Sequence, residues 1–255
     1  MLCYKGTVVI MKEIYLNDND FSNLKFTILS KDLEGTLLLK QGSYLYKLYN
    51  KKLAKKKEPL IDALMELNID NCVIPDAKIY LKNKFRAIRM VYYSQYQTLL
   101  KTLKGNIDLQ SRLSLCKKAL TAIKNLYDHG IAYYDIHTEN ILVYNDDIKL
   151  VDLDSSTLLT SCNKQKLQNI NQLIKINSVI LILSCFHKID FHDVIAENDN
   201  MDIKNLLSPF LIDKNLKFYI DQFMNEEDIK FGFEFLLDFF VDEKVKKLKR
   251  VNMNN

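Results

Sequence analysis

Residues 131–154 read IAYYDIHTENILVYNDDIKLVDLD, and the fold turns on how this stretch is interpreted. Asp135 is followed, after four intervening residues, by Asn140, and Asp152 lies twelve positions further on. Residues 141–144 and 148–151 are short apolar runs separated by the turn-forming NDD. That pattern predicts a β-hairpin. A hairpin brings the end of its second strand back beside the start of its first. Asp152 is therefore expected beside the loop that carries Asp135 and Asn140. A carboxylate can accept a proton or orient a hydroxyl, and an asparagine offers a neutral oxygen to a hard cation. Two carboxylates and an amide in one place suit Mg²⁺ bridging phosphate groups.

Working outward, Leu109, Leu113, Cys116, Leu120, Ile123 and Leu126 form the stripe of an amphipathic helix just upstream. Asp108 is its expected N-cap and Gly130 its expected stop. Downstream, residues 166–186 predict a strongly apolar helix. A last helix is expected over 225–250, with Glu226, Glu227 and Asp228 in its first turn. Lys244, Lys246, Lys247, Lys249 and Arg250 at its end complement the helix dipole. Residues 198–205 read as a polar loop.

The first hundred residues alternate apolar runs with turns. Strands are expected at 26–29, 36–40, 44–49, 77–81 and 87–92. Between the third and fourth, Leu53, Leu60, Leu64 and Leu67 recur at helical spacing over 51–67. The expected architecture is α+β and bilobal: a small β-rich lobe with one helix over 1–93, then a mainly helical lobe over 94–255. The seam falls near residues 93–98.

Composition narrows the function classes. At 255 residues with 48% hydrophobic content, the chain can build a substantial core. A formal net charge of +4 is too mild to indicate a nucleic-acid binder. The five cysteines (Cys3, Cys72, Cys116, Cys162 and Cys185) are scattered, and no CxxC occurs. Reduced thiols and a cytoplasmic setting are the expectation. The longest apolar run, 179–185, is much shorter than a membrane span, and no signal peptide is evident. His129, His187 and His192 lack metal-ligand spacing. Lysine-rich KKLAKKK at 51–57 reads either as a solvated helix face or as a docking patch for an anionic partner.

YDIHTENIL followed by VDLD resembles the catalytic loop and metal-binding motif of the protein-kinase-like superfamily, which includes the aminoglycoside and choline phosphotransferases. The resemblance is specific over 134–154 and looser over 24–186. It implies that Asp135 is the catalytic or substrate-orienting acid, and that Asn140 and Asp152 are metal ligands. Lys47, in the strand YLYKLY, resembles the lysine that holds the α- and β-phosphates. Its helix partner is expected to be Glu58, with Glu66 as second choice. AIRMVYY at 87–93 resembles the fifth strand and hinge. Met90 would then be the gatekeeper, and the backbone at Val91 and Tyr92 would face an adenine. His137 stands where protein kinases usually have a lysine; it either touches a γ-phosphate or packs within the loop. The implied cofactors are ATP and Mg²⁺, and the implied partner is a hydroxyl-bearing acceptor, protein or small molecule.

The chain also departs from that pattern. Only Gly35 stands where a glycine-rich loop is expected. Tyr133-Tyr134 replaces the usual His-Arg before the acid, and Leu153-Asp154 follows the metal aspartate in place of Phe-Gly. Without that arginine, control by phosphorylation of an activation loop is not expected. No APE-like sequence follows Asp154, and the next helical pattern begins about ten residues on. Three readings remain open: a phosphotransferase, a pseudokinase that binds nucleotide or a partner, and an enzyme that transfers the nucleotidyl group.

Overall fold

The computed structural model describes residues 12–32, 35–191, 210 and 213–240. Cys3, His192, the segment 198–205 and the lysine-rich end beyond 240 lie outside them. The chain divides into two compact units, Met1–Gln95 and Tyr96–Asn255.

The first unit is a six-stranded sheet. Its strands are β1 (Lys12–Leu16), β2 (Thr27–Lys31), β3 (Leu37–Gln41), β4 (Tyr44–Leu48), β5 (Ala77–Leu81) and β6 (Lys84–Val91). Their order is β1-β5-β6-β4-β3-β2. All pairs are antiparallel except β1 with β5. Short α1 (Asp18–Asn23) follows β1, and α2 (Lys51–Met65) joins β4 to β5.

Alternation along the strands gives the sheet two faces. Leu39, Tyr46, Ile79 and Ala87 form a core on one face, with Phe21 of α1 and Phe26 packed against it. On β4, Lys47 is one residue from Tyr46 and points the other way. It pairs with Leu38 on β3 and Ile88 on β6, and Ile88 pairs with Lys78 on β5. Cross-strand partners share a face, so Leu38, Lys47, Ile88 and Lys78 form one row. Helix α2 covers this side through buried Leu60, Ile61 and Leu64. Pro59 lies inside α2, which runs through it without an assigned break.

In the second unit, β7 (Gln97–Thr98) leads into α3 (Leu99–Lys104) and α4 (Leu109–Asp128). The expected cap of α4 is present: Asp108 Oδ1 accepts from Ser111 N at 3.0 Å. Leu113, Cys116, Leu120, Ile123 and Leu126 are buried as the stripe predicted. Each such side chain contributes about 1.5–3 kcal/mol by leaving water. The hairpin comprises β9 (Ile141–Tyr144) and β10 (Asp147–Leu150). Asn145 turns the chain with a φ of 52°, a left-handed value that asparagine tolerates. β7 adds a third strand beside β9. β8 (Ile131–Ala132) and β11 (Thr157–Leu158) pair around the loop they enclose.

Helix α5 (Lys164–His187) is the core helix of this unit. Its length and mean hydropathy of 1.3 would suit a membrane span, but 61% of that apolar window is buried inside the structure. The helix expected over 225–250 begins close to the acidic run as the sequence suggests, its part beyond 240 lies outside the described residues, and a further helix precedes it. α6 (Lys214–Asn225) and α7 (Ile229–Asp238) are separate, with Glu226, Glu227 and Asp228 at the break. Asp228 caps α7 by accepting from Lys230 N at 2.9 Å. The buried ammonium of Lys175 donates to the carbonyls of Met224 and Glu226, closing the end of α6. A short polar side chain at a cap thus ends one helix pattern and starts another.

Candidate functional site

The loop after β8 is built from the core outward. Tyr133 is fully buried, and its hydroxyl donates to the carbonyl of Val151 at 3.1 Å. Ile136 is buried on the same side, leaving Asp135 and His137 partly exposed. Thr138–Asn140 forms a 3-10 turn that delivers Asn140 to the start of β9. Asn177 of α5 donates to the Tyr134 carbonyl at 2.7 Å, and Thr138 Oγ1 donates to Asp190 Oδ2 at 2.9 Å. The loop is therefore tied to the hairpin and to α5.

Asn140 links the loop to the hairpin. Its Nδ2 donates to Asp135 Oδ2 at 2.9 Å and to the Asp135 carbonyl at 3.1 Å. Its backbone carbonyl accepts from Val151 N at 3.0 Å. Asp152 is the next residue, so the hairpin returns it beside Asn140, as the spacing predicts. Both amide hydrogens of Asn140 face Asp135, which leaves Oδ1 as the acceptor end. Asp152 adopts a left-handed conformation with φ 58° and ψ 33°. Aspartate tolerates that region better than most residues, and such backbone concentrates at functional sites. Its carbonyl accepts from Ser155 N at 3.0 Å and Ser155 Oγ at 2.8 Å, which fixes the turn. His137 Nε2 lies 3.6 Å from Asp135 Oδ1, so a protonated imidazole would form an ion pair with it.

Among the described residues, no group of three or more His, Cys, Asp or Glu side chains is placed to hold a metal ion. The available donors are one carboxylate, Asp152, and one amide oxygen, Asn140. That set fits Mg²⁺, which typically takes one or two protein ligands and completes its shell with phosphate and water. It does not fit a structural zinc site. A cavity of about 620 Å³ in the same unit is lined by Lys164, Gln168, Asn171, Gln172, Lys175 and Glu227, and none of the candidate residues lines it.

In the first unit, Lys47 is partly buried on the α2 face, in the row containing Ile88. Met90 pairs with Leu45 on that same face, Val91 pairs with Tyr44, and Tyr92 N donates to Ser43 O at 2.8 Å. The Lys40 ammonium lies 4.1 Å from the centre of the Tyr92 ring. Glu58 accepts from the Tyr80 hydroxyl at 3.1 Å, and Glu66 is exposed at the end of α2. An unforeseen pair is Lys78 with Asp62, at 2.7 Å, with Glu13 at 3.4 Å. Burial opposes the Lys78 charge, but Asp62 and Tyr80 more than compensate and hold its pKa above the ordinary lysine value. A lysine inside the apolar run AKIYL was the available signal for this pair. An asparagine within the most apolar part of α5 was the corresponding signal for Asn177.

Gly35 has a φ of 82°, which favours glycine, and it precedes Thr36 N, which donates to Asp32 Oδ1 at 2.7 Å. This turn stands where the resemblance expects a glycine-rich loop.

No family model and no curated protein matches the sequence. Solved structures do match in fold. The pseudokinase DRIK1 (drought responsive inactive kinase 1), bound to ENMD-2076, aligns with a TM-score of 0.60 at 10% identity over 93% of this chain and 99% of its own. Another pseudokinase, in its apo form, aligns at 0.58 and 11% identity over 91% and 98%. Rad53 residues 1–466 with AMP-PNP aligns at 0.58 and 14% identity over 85% of this chain and 66% of that one. The fold is protein-kinase-like: mixed α+β, with a six-stranded N-terminal sheet and a helical C-terminal part.

Proposed function

We propose that the chain is an ATP- and Mg²⁺-dependent phosphotransferase that moves the γ-phosphoryl group to a hydroxyl acceptor. The observation that supports this reading is the Asp135–Asn140–Val151 linkage: the Asn140 amide binds the Asp135 carboxylate, and the Asn140 carbonyl binds the backbone N–H of the residue before Asp152. Asn140 and Asp152 are the proposed metal ligands. Asp135 is the proposed group that orients the acceptor hydroxyl and receives its proton. The Asn140 amide holds the Asp135 carboxylate in one rotamer, which limits the reorganisation needed when substrate arrives. Bound ATP and Mg²⁺ would supply the phosphoryl donor and neutralise the charge that develops on it. Lys47 is proposed as a phosphate ligand. Met90, Val91 and Tyr92 are proposed as adenine contacts, and His137 as a further phosphate contact when protonated. The proposed acceptor is a protein or small-molecule hydroxyl, and Asp154, directly after Leu153, is the feature that resembles the small-molecule phosphotransferases.

A second reading is a pseudokinase. It is favoured by the missing glycines of the phosphate loop, by the Tyr133-Tyr134 replacement before Asp135, and by the two pseudokinases among the structural neighbours. One experiment separates the two. ADP release is measured for the wild type, Asp135→Ala and Asp152→Ala at saturating Mg²⁺. A fall of about a hundredfold or more in both variants supports transfer, on the scale of losing a general base and a charge-stabilising group. Equal rates in all three overturn it. A thermal shift with ATP and Mg²⁺ would then identify a nucleotide-binding pseudokinase.

A further inference from the structure

The charges along α2 run against its dipole. Lys51, Lys52, Lys55 and Lys56 crowd the N-terminal half, and no acidic residue occupies the first turn. Glu58, Asp62 and Glu66 follow toward the C-terminal end, and the last turn has no basic residue. A helix N-terminus carries partial positive charge, so lysines there oppose helix stability. The four lysines also stand one turn apart in two rows, 51/55 and 52/56, where like charges repel. Each is exposed, and none pairs with a described residue. The acids that could have neutralised them are committed elsewhere: Glu58 to Tyr80 and Asp62 to Lys78, both on β5.

The patch extends beyond the helix. Tyr49 immediately precedes the cap residue Asn50, and Arg86 places both Nε and Nη2 on the Tyr49 carbonyl, at 3.2 and 3.0 Å. The guanidinium of β6 thus adds a cation at the start of α2. Lys84, exposed, lies two residues earlier on the same strand.

We infer that this surface is a docking site for an acidic peptide segment of a partner protein. Charge complementarity selects a polyanion, and the chemistry of the patch selects among polyanions. Ala54, Leu60, Ile61 and Leu64 of α2 are buried within their own unit, so the helix has no apolar face to insert into a bilayer. None of the large exposed hydrophobic side chains lies on α2 or at Lys84–Arg86, so the patch offers no platform for stacking bases. The lysine rows repeat at about 5–6 Å. Alternate side chains of an extended peptide repeat at about 6.8 Å. An extended acidic strand can therefore meet successive lysines.

The inference stands apart from the proposed catalysis, and its test requires no turnover. A fluorescent peptide of alternating Glu and Ser is titrated with the full chain and read by anisotropy. A Lys-Ser peptide, phosphatidylserine vesicles and a short DNA duplex serve as comparisons. The expected result is salt-sensitive binding of the Glu-Ser peptide, weakened about tenfold or more when Lys51, Lys52, Lys55 and Lys56 are all changed to Gln. The same variant should melt no lower than the wild type, because the lysines do not support the helix. Should it melt lower, the pair Lys55→Glu and Lys56→Glu repeats the binding test. Equal peptide affinity in wild type and variant overturns the inference, as does tighter binding to vesicles or DNA than to the peptide.

Discussion

Asn140 donates to the Asp135 carboxylate at 2.9 Å while accepting, through its backbone, from the residue that precedes Asp152. One side chain thus orients the acid and one carbonyl positions the hairpin, so substitutions at 140 separate the two roles. Asn140→Asp keeps the backbone but sets a second carboxylate against Asp135. Two adjacent carboxylates raise the pKa of one of them. A carboxyl whose folded pKa is raised destabilises the fold increasingly as pH rises above the unfolded value of about 4. The variant should therefore lose stability relative to wild type at pH 7 and recover part of it at pH 5. Urea denaturation at the two pH values measures this. A difference independent of pH would show that Asn140 does not face Asp135 as described.

The Lys78–Asp62 pair is asymmetric. Lys78 is 7% exposed at its side chain, and Asp62 is 42% exposed. Removing the exposed partner leaves a buried ammonium with Glu13 at 3.4 Å as its remaining carboxylate. Removing the buried partner returns an exposed carboxylate to water. Breaking a buried pair costs more than replacing the buried charge with an apolar group of similar size. Asp62→Ala should thus destabilise the chain more than Lys78→Met, by about 1 kcal/mol after allowing for solvent screening. Thermal or urea unfolding of both variants decides the order.

Asp147, at the start of β10, accepts from the Tyr96 hydroxyl at 2.5 Å and lies 3.5 Å from Lys149. Partial burial pushes its pKa upward, but the Tyr96 bond and Lys149 prevail and hold it below the ordinary aspartate value. A carboxyl with a depressed folded pKa contributes stability above its unfolded pKa and loses that contribution as pH falls through the folded one. Tyr96→Phe removes the bond, so the Asp147 pKa should rise toward the ordinary value. The variant's deficit at neutral pH should shrink under acid. An NMR titration of the Asp147 side-chain carbonyl carbon follows both effects.

Cys116 on α4 and Cys185 on α5 are fully buried. Burial, reinforced by a hydrogen bond and charge interaction with Cys185, pushes the Cys116 thiol well above its ordinary pKa. The thiolate is the reactive form, so this thiol should resist modification. In native protein at pH 8, an aromatic disulfide reagent should react with Cys162, which is partly exposed. It should reach Cys116 and Cys185 only after denaturant is added. Counting released thiolate before and after unfolding tests this.

Motifs governed by neighbouring residues were readable directly. The hairpin, the Asp108 cap, the stripe of α4 and the approach of Asp152 to Asn140 each follow from spacing over a short stretch of chain. Strand β1 was not readable, because its parallel partner β5 begins about sixty residues later and the run KEIYL mixes charged with apolar residues. The acidic run Glu226–Asp228 marks the start of the last helix in the sequence as in the structure, but the separate helix Lys214–Asn225 before it had no legible signal. Only the packed chain showed that a separate helix precedes that start.

The sequence by itself determined the α+β order of elements and a loop whose acid, amide and second acid return to one place. Local periodicity and turn chemistry suffice for that. Tertiary structure alone decided which charges meet. Lys78 found Asp62 across strand and helix, Glu58 turned to Tyr80, and four lysines of α2 remained turned to solvent. Those outcomes depend on which face of a sheet a helix covers, and contacts between residues distant in the chain set that face.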